Sequence, residues 1–214
     1  MPSNQEFTLK ENSHIRLTAC WLKPSDPRRL EAEHFICERY WFSFNACITQ
    51  LPENILAVYQ NDLLVAACGV QLAEQRILFS EQYMTQPLGN YSILGKRMPS
   101  RQEVAEVGSM ATLGRRYLPD LVEAIVLALR DLRRTVVLFT ATRGLAHFLE
   151  RRGIVLQKLA LAERGKLQVD TNAEWGSYYA HQPSVFAGWT DSYPVSDVEP
   201  ARFLEQPFQE RAHA

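Results

Sequence analysis

Residues 103–153 constrain the fold more than any other part of the chain, because EVAEVGSMAT, LGRRYLPDLVEAIVLALRDL, RTVVLFTAT and RGLAHFLERRG succeed one another there. The order is strand, loop, helix, strand, helix. Residues 103–110 alternate, with Val104, Glu106 and Gly108 on one face and Ala105, Val107 and Ser109 on the other, and their composition suits a strand. Glu106 interrupts that otherwise apolar strand. Pro119 belongs in a first helical turn, and Leu121, Val122, Ile125, Val126, Leu129 and Leu132 recur at helical spacing. Arg133 and Arg134 close the helix at its negative end, and residues 136–139 form a short apolar run of the kind covered on both faces. The unit is βαβ, and it requires a sheet with at least one parallel pair.

The rest of the chain extends that sheet. Residues 14–21 alternate as an opening strand, and residues 24–28 turn the chain. From Arg28 to Asn45, the residues Leu30, His34, Phe35, Cys37, Tyr40, Trp41 and Phe44 predict a helix with an aromatic face. Residues 55–60 and 63–73 flank an Asn61-Asp62 turn and predict a hairpin, and residues 77–84 are expected to continue the sheet. Residues 86–102, with two prolines and two glycines, suit a mobile loop over a site, and residues 154–161 predict another strand. We expect one α/β domain over 14–189 and, from Thr190 with its scattered prolines, a loosely attached tail over 190–214.

At 214 residues and 46% hydrophobic content the chain can bury a core of domain size. A net charge of −1 gives no electrostatic case for nucleic acid. No stretch is long and apolar enough to span a bilayer, and the first residues lack a secretory apolar segment, so the expected location is cytoplasmic. Cys20, Cys37, Cys47 and Cys68 show no CxxC spacing and are expected to be free, mostly buried thiols; no metal site is expected from them or from the histidines.

The strand, loop and helix of residues 103–132 resemble the acyl-CoA-binding half of the GNAT superfamily of N-acyltransferases. FSEQYMTQPL (79–88), EVGSMA (106–111), FTATRGLAHFLERRGI (139–154), LALAERGKL (159–167) and WGSYY before a proline (175–183) together resemble the thermostable hemolysin family. The chain departs from the family pattern at Ser80, Ser109 and Met110, and Gly114 is the only glycine of a loop that is glycine-rich in GNAT enzymes. The resemblance implies a GNAT-like mixed central sheet flanked by helices, similar to the autoinducer (acyl-homoserine-lactone) synthases. It further implies transfer of a fatty acyl group from acyl-CoA or the phosphopantetheine of acyl-carrier protein to a small amine. No tightly bound cofactor is expected, and a homodimer is open. A membrane-active hemolysin, as the family name suggests, and a non-catalytic acyl-binding module are the competing readings.

Acyl transfer from a thioester needs an oxyanion donor, a base for the amine and a grip on the pantetheine and phosphates. The expected base is Glu106, whose burial would raise its pKa; the alternative is a structural glutamate paired with Arg97 or Arg101. Glu81 is a second catalytic candidate, against a plain edge-strand carboxylate, and Tyr178 is a phenolic acid for the leaving thiolate, against simple packing. Gly108, Ser109 and Met110 are expected at the thioester carbonyl. Arg115 and Arg116 stand before a helix N-terminus and suit phosphate. Thr140 and Thr142 end a strand where ligands of open sheets collect, and would bind pantetheine or cap the next helix.

Overall fold

The computed structural model describes residues 6–167 and 174–193. Ten strands and three α-helices follow in chain order: β1 (Glu6–Glu11), β2 (Arg16–Leu22), α1 (Arg29–Phe44), β3 (Asn54–Gln60), β4 (Leu63–Leu72), β5 (Ser92–Ile93), β6 (Lys96–Arg97), β7 (Val104–Thr112), α2 (Leu118–Asp131), β8 (Val136–Ala141), α3 (Arg143–Glu150), β9 (Gln157–Leu161) and β10 (Ser184–Trp189). Eight of the strands make one mixed sheet in the order β1-β2-β3-β4-β7-β8-β10-β9, and β5 pairs only with β6. Every neighbouring pair in the large sheet is antiparallel except β7 and β8. The βαβ unit of residues 103–153 therefore sits at the centre, as its sequence requires.

Helix α2 buries Leu121, Ala124, Ile125, Ala128 and Leu129, a stripe repeating every three or four residues, against one face of the sheet together with Ala146 and Leu149 of α3. Each fully buried leucine or isoleucine there contributes about 1.5–3 kcal/mol. On the other face α1 buries Ala32, Ile36 and Tyr40. This stripe differs from the expected aromatic one. Of that face Tyr40 is buried and Phe35 and Phe44 pack against the same cluster, whereas Leu30 and Trp41 are 60% and 52% exposed, since they lie off the line of Ala32, Ile36 and Tyr40. The start of α1 is held by Arg29, whose guanidinium donates to the carbonyls of Leu22, Pro52 and Glu53.

Four further expectations are corrected. A strand precedes residues 14–21, since Phe7 and Leu9 alternate into the core as β1. Residues 79–83 form a 3-10 turn and not a strand: the Glu81 carboxylate accepts the Leu78 N–H, a local bond that competes with a ladder. Residues 86–102 do not cover a site; Leu88, Ile93 and Met98 are buried in their own cluster, and the Ile93 carbonyl accepts the Trp189 indole N–H. Residues 190–193 are firmly attached. Thr190 is buried, its hydroxyl donates to the Arg134 carbonyl, and Arg130 donates to the carbonyls of Thr190 and Tyr193. The remainder of the expected tail, 194–214, lies outside the described residues. Cys20 and Cys68 are buried thiols, Cys37 is half-buried and Cys47 is exposed.

Gly69 of β4 faces the Pro52 ring, and a Cβ there would come within 2.5 Å of the Pro52 Cδ. Gly69→Ala is expected to cost about 1–3 kcal/mol in urea unfolding, with the midpoint lowered and the m-value unchanged. An unchanged midpoint would show that the Pro52 segment yields freely.

Candidate active site

The parallel pairing of β7 with β8 is short. It runs only from Val104 opposite Val136 to Val107 opposite Phe139. Beyond that point β7 stays with β4 as far as Thr112, while β8 stays with β10 as far as Ala141. The two strands part, and a cleft opens between them. At the parting β7 carries a bulge: Gly108 pairs with Gly69 and Ala111 with Ala67, so Ser109 and Met110 together oppose Cys68. Ser109 takes φ +52°, a left-handed backbone that non-glycine residues adopt at a cost.

A cavity of about 290 Å³ occupies the cleft. Its strand walls are Glu106, Gly108 and Ser109 of β7 and Thr140 of β8, and Gln71 of β4 also reaches it. Tyr40 of α1, Phe79, Tyr83, Trp175 and Tyr178 give it an aromatic wall. Those rings contact one another: Phe79 and Trp175 lie 5.8 Å apart, Trp175 and Tyr178 5.5 Å, and the hydroxyls of Tyr83 and Tyr179 are 2.6 Å apart. A Cβ on Gly108 would meet nothing within 4 Å, so the bare backbone is open to the cavity.

Glu106 is 6% exposed. Its two oxygens accept the backbone N–H groups of Phe79 and Ser80, at 2.7 and 2.8 Å. Burial pushes its pKa up to about 7, against the downward pull of the hydrogen bonds from Ser80 and Phe79. Among the described residues it makes no ion pair, and Arg101 is engaged by Glu81 at 2.8 Å. The result is a carboxylate that changes charge near neutrality, fixed in orientation by two amides and facing a cavity. This arrangement can take a proton from a bound group.

The sequence candidates divide in two. Glu106, Gly108, Ser109, Thr140 and Tyr178 come together on the cavity. Strict alternation would have turned Ser109 away; the bulge returns it to the face of Gly108. Tyr178 is buried, donates to the Thr140 carbonyl at 3.3 Å, and has its phenol pKa raised by that burial. The other candidates lie elsewhere. Met110 packs into the core beneath α2. Glu81 sits outside the cavity in the 3-10 turn; its partial burial is outweighed by Arg101 and the Leu78 N–H, which hold its carboxyl below the usual range. Thr142 caps α3 by accepting the Leu145 N–H. Arg115 and Arg116 are exposed in the turn before α2, where Arg116 lies over the Tyr117 ring at 4.6 Å and donates to its hydroxyl. The N-cap residue of α2, Tyr117, makes no side-chain cap bond; the Leu118 N–H instead donates to the Arg115 carbonyl, and Pro119 carries no N–H.

Sequence reasoning missed Gln71, Arg76, Phe79 and Tyr83 as cavity residues. Gln71 left a signal, a glutamine inside the apolar run LLVAACGVQLA, and it stands cross-strand from Glu106. Arg76 and Phe79 left none, because their positions follow from how residues 73–83 turn back over β7.

Among the described residues, none of the clusters of histidine, cysteine and acidic side chains could hold a metal, and no helix is long and apolar enough to cross a membrane. No curated protein sequence matches the chain. Many solved structures are similar in fold, three of them as follows. The N-acyl amino acid synthase FeeM from uncultured soil microbes superposes with a TM-score of 0.54 at 12% identity, covering 83% of this chain and 92% of its own. The AHL synthase LasI gives 0.53 at 10% identity, covering 84% and 91%. TofI in its apo form gives 0.51 at 10% identity, covering 80% and 89%. The eight-stranded sheet with its parted central pair is thus the GNAT-like architecture expected from residues 103–153. The sequence profile of the thermostable hemolysins matches residues 22–193, nearly the whole of the described structure, and the chain belongs to the thermostable hemolysin family.

Proposed function

We propose that this protein is an N-acyltransferase that moves a fatty acyl group from acyl-CoA or acyl-carrier protein to an amine acceptor, an amino acid or a derivative of one, with Glu106 as general base. One observation carries the reading: a buried, uncompensated carboxylate with its pKa near 7 stands on the wall of a cleft formed where the two parallel strands part. The fold shared with an N-acyl amino acid synthase and an AHL synthase supports the same class.

In this mechanism the pantetheine arm lies between β7 and β8. The thioester carbonyl faces the bulge at Ser109 and Met110, whose amides are out of one-to-one register with β4 and can donate to the developing oxyanion. Thr140 contributes a hydroxyl that has no partner among the described residues, suited to a pantetheine amide. Arg115 and Arg116, exposed before α2, take phosphate when the donor is CoA. The incoming ammonium gives one proton to Glu106, which releases it to solvent. The nitrogen then attacks the carbonyl carbon. Collapse of the tetrahedral intermediate breaks the C–S bond, and the second nitrogen proton passes to sulfur by way of the Tyr178 hydroxyl, which stays protonated because burial raises its pKa. Glu81 is a positioning residue: through Arg101 it holds the turn that presents the Phe79 and Ser80 amides to Glu106.

Thiol release from acyl-CoA or acyl-carrier protein, measured across a panel of amines, tests the reaction. It should depend on the amine and fall about 100-fold or more in Glu106→Gln; absence of release from both donors with every amine would exclude the proposal. The rate should rise with pH up to about 7 and level above it, and this limb should vanish in Glu106→Gln.

Glu106 also links folding to pH. The folded pKa lies above that of the unfolded chain, so between about 4.5 and about 7 the native state holds more protons and stability falls as pH rises. The difference in unfolding free energy between wild type and Glu106→Gln should change by on the order of 3 kcal/mol across that window and be flat above it. A constant difference would mean that Glu106 is already ionised at pH 5.

Gly108→Val should place its methyl groups in the cavity. It is expected to leave stability within about 1 kcal/mol of wild type while raising the KM for acyl thioester at least tenfold. Unaltered kinetics would place the donor elsewhere.

A further inference from the structure

Arg76 and Glu106 are the only charged residues that line the cavity among the described residues. Two carboxylates flank Arg76 in its own turn, and both are committed to arginines from other parts of the chain. Glu74 pairs with Arg134 at 2.7 Å and Glu81 with Arg101 at 2.8 Å. Arg76 makes no ion pair among the described residues, and only its carbonyl is engaged, accepting from Arg101 at 2.9 Å. The backbone of this exposed lining residue is therefore anchored, while its guanidinium has no counter-ion among the described residues. It lies three residues before Phe79, whose N–H holds Glu106. One turn thus carries both the cation and the anchor of the base.

Resting on the acyltransferase reading above, we infer that Arg76 binds the α-carboxylate of the acceptor, so that the acceptor is a free α-amino acid and not its ester, its amide or a simple alkylamine. A guanidinium is a planar fork that matches a carboxylate with two parallel N–H bonds. A zwitterion complements the wall at both ends, its carboxylate on Arg76 and its ammonium on Glu106. Phe79 and Trp175, the aromatic pair beside them, receive an apolar side chain. Attack by the amine forms the amide C–N bond, the C–S bond breaks, and the carboxylate is retained unchanged in an N-acyl amino acid.

The test compares leucine, leucinamide and isoamylamine as acceptors for decanoyl-CoA, and for decanoyl-carrier protein, in wild type, Arg76→Ala and Arg76→Lys. Wild type should favour leucine over leucinamide at least tenfold in kcat/KM. Arg76→Ala should raise the KM for leucine ten- to a hundredfold, leave the KM for the donor unchanged and erase the preference, and Arg76→Lys should restore part of it. Efficient turnover of leucinamide by wild type, or an Arg76→Ala enzyme that keeps its preference for leucine, overturns the role of Arg76 and leaves the acyltransferase reading intact. Binding of N-decanoyl-leucine and N-decanoyl-leucinamide, followed by calorimetry, reads the same site without turnover. The acid should bind wild type at least tenfold more tightly than the amide, and Arg76→Ala should bind the two alike. Equal binding by wild type overturns the inference. Absence of thiol release with every amine, together with selective acid binding, would instead defeat the acyltransferase reading and keep the carboxylate site.

Discussion

Four residue pairs of parallel ladder decide the shape of this molecule. While β7 and β8 run together, from Val104 to Val107, they are central strands with apolar neighbours on both faces. Once each follows its other partner, the sheet can no longer be closed at that point, and a gap with polar backbone edges is built into an otherwise packed core. Protein interiors do not leave such groups unpaired without reason. The bulge at Ser109, the bare face of Gly108 and the unpartnered Thr140 hydroxyl all gather at this gap.

Glu106 stands at the last turn of side chains before the gap, and its surroundings set its chemistry. Burial alone would drive the carboxyl towards permanent protonation, and a salt bridge would keep it permanently charged. Two amide donors with no cation hold it between those extremes. The Arg101–Glu81 pair acts one step back, since it fixes the turn that aims those amides. The same turn sets the Glu81 and Glu106 carboxylates apart: Glu81 is held as an anion by Arg101, and Glu106 keeps a pKa near neutrality.

Much of this was legible in the sequence where local pattern decides it. The βαβ unit, the β3–β4 hairpin and α1 follow from periodicity and turn residues, and Glu106 stood out as an acid within an apolar strand. What pattern could not convey is tertiary. Residues 77–84 have enough β-branched and aromatic character for a strand, yet one carboxylate–amide bond at Leu78 turns them into a 3-10 segment. Residues 86–102 carry loop composition, but bury Leu88, Ile93 and Met98 against β10 instead of covering the cleft. Ser109 changes face because of a bulge that has no signature in its residue types, and Arg76 reaches the cavity only because the chain doubles back.

The aromatic wall has a consequence for how the chain acquires its site. Tyr40, Phe79 and Trp175 come from segments separated by some tens of residues or by nearly a hundred, and Gly176 fits at φ +47° against the carbonyls of Phe44 and Asn45, where any Cβ would collide. Loops of that length close late, after the hairpins and α2 with their short-range contacts. The cavity is therefore complete only once the segment carrying Trp175 has docked against the end of α1. Any ligand of this cavity would thus select molecules in which the segment around Gly176 has docked on the end of α1.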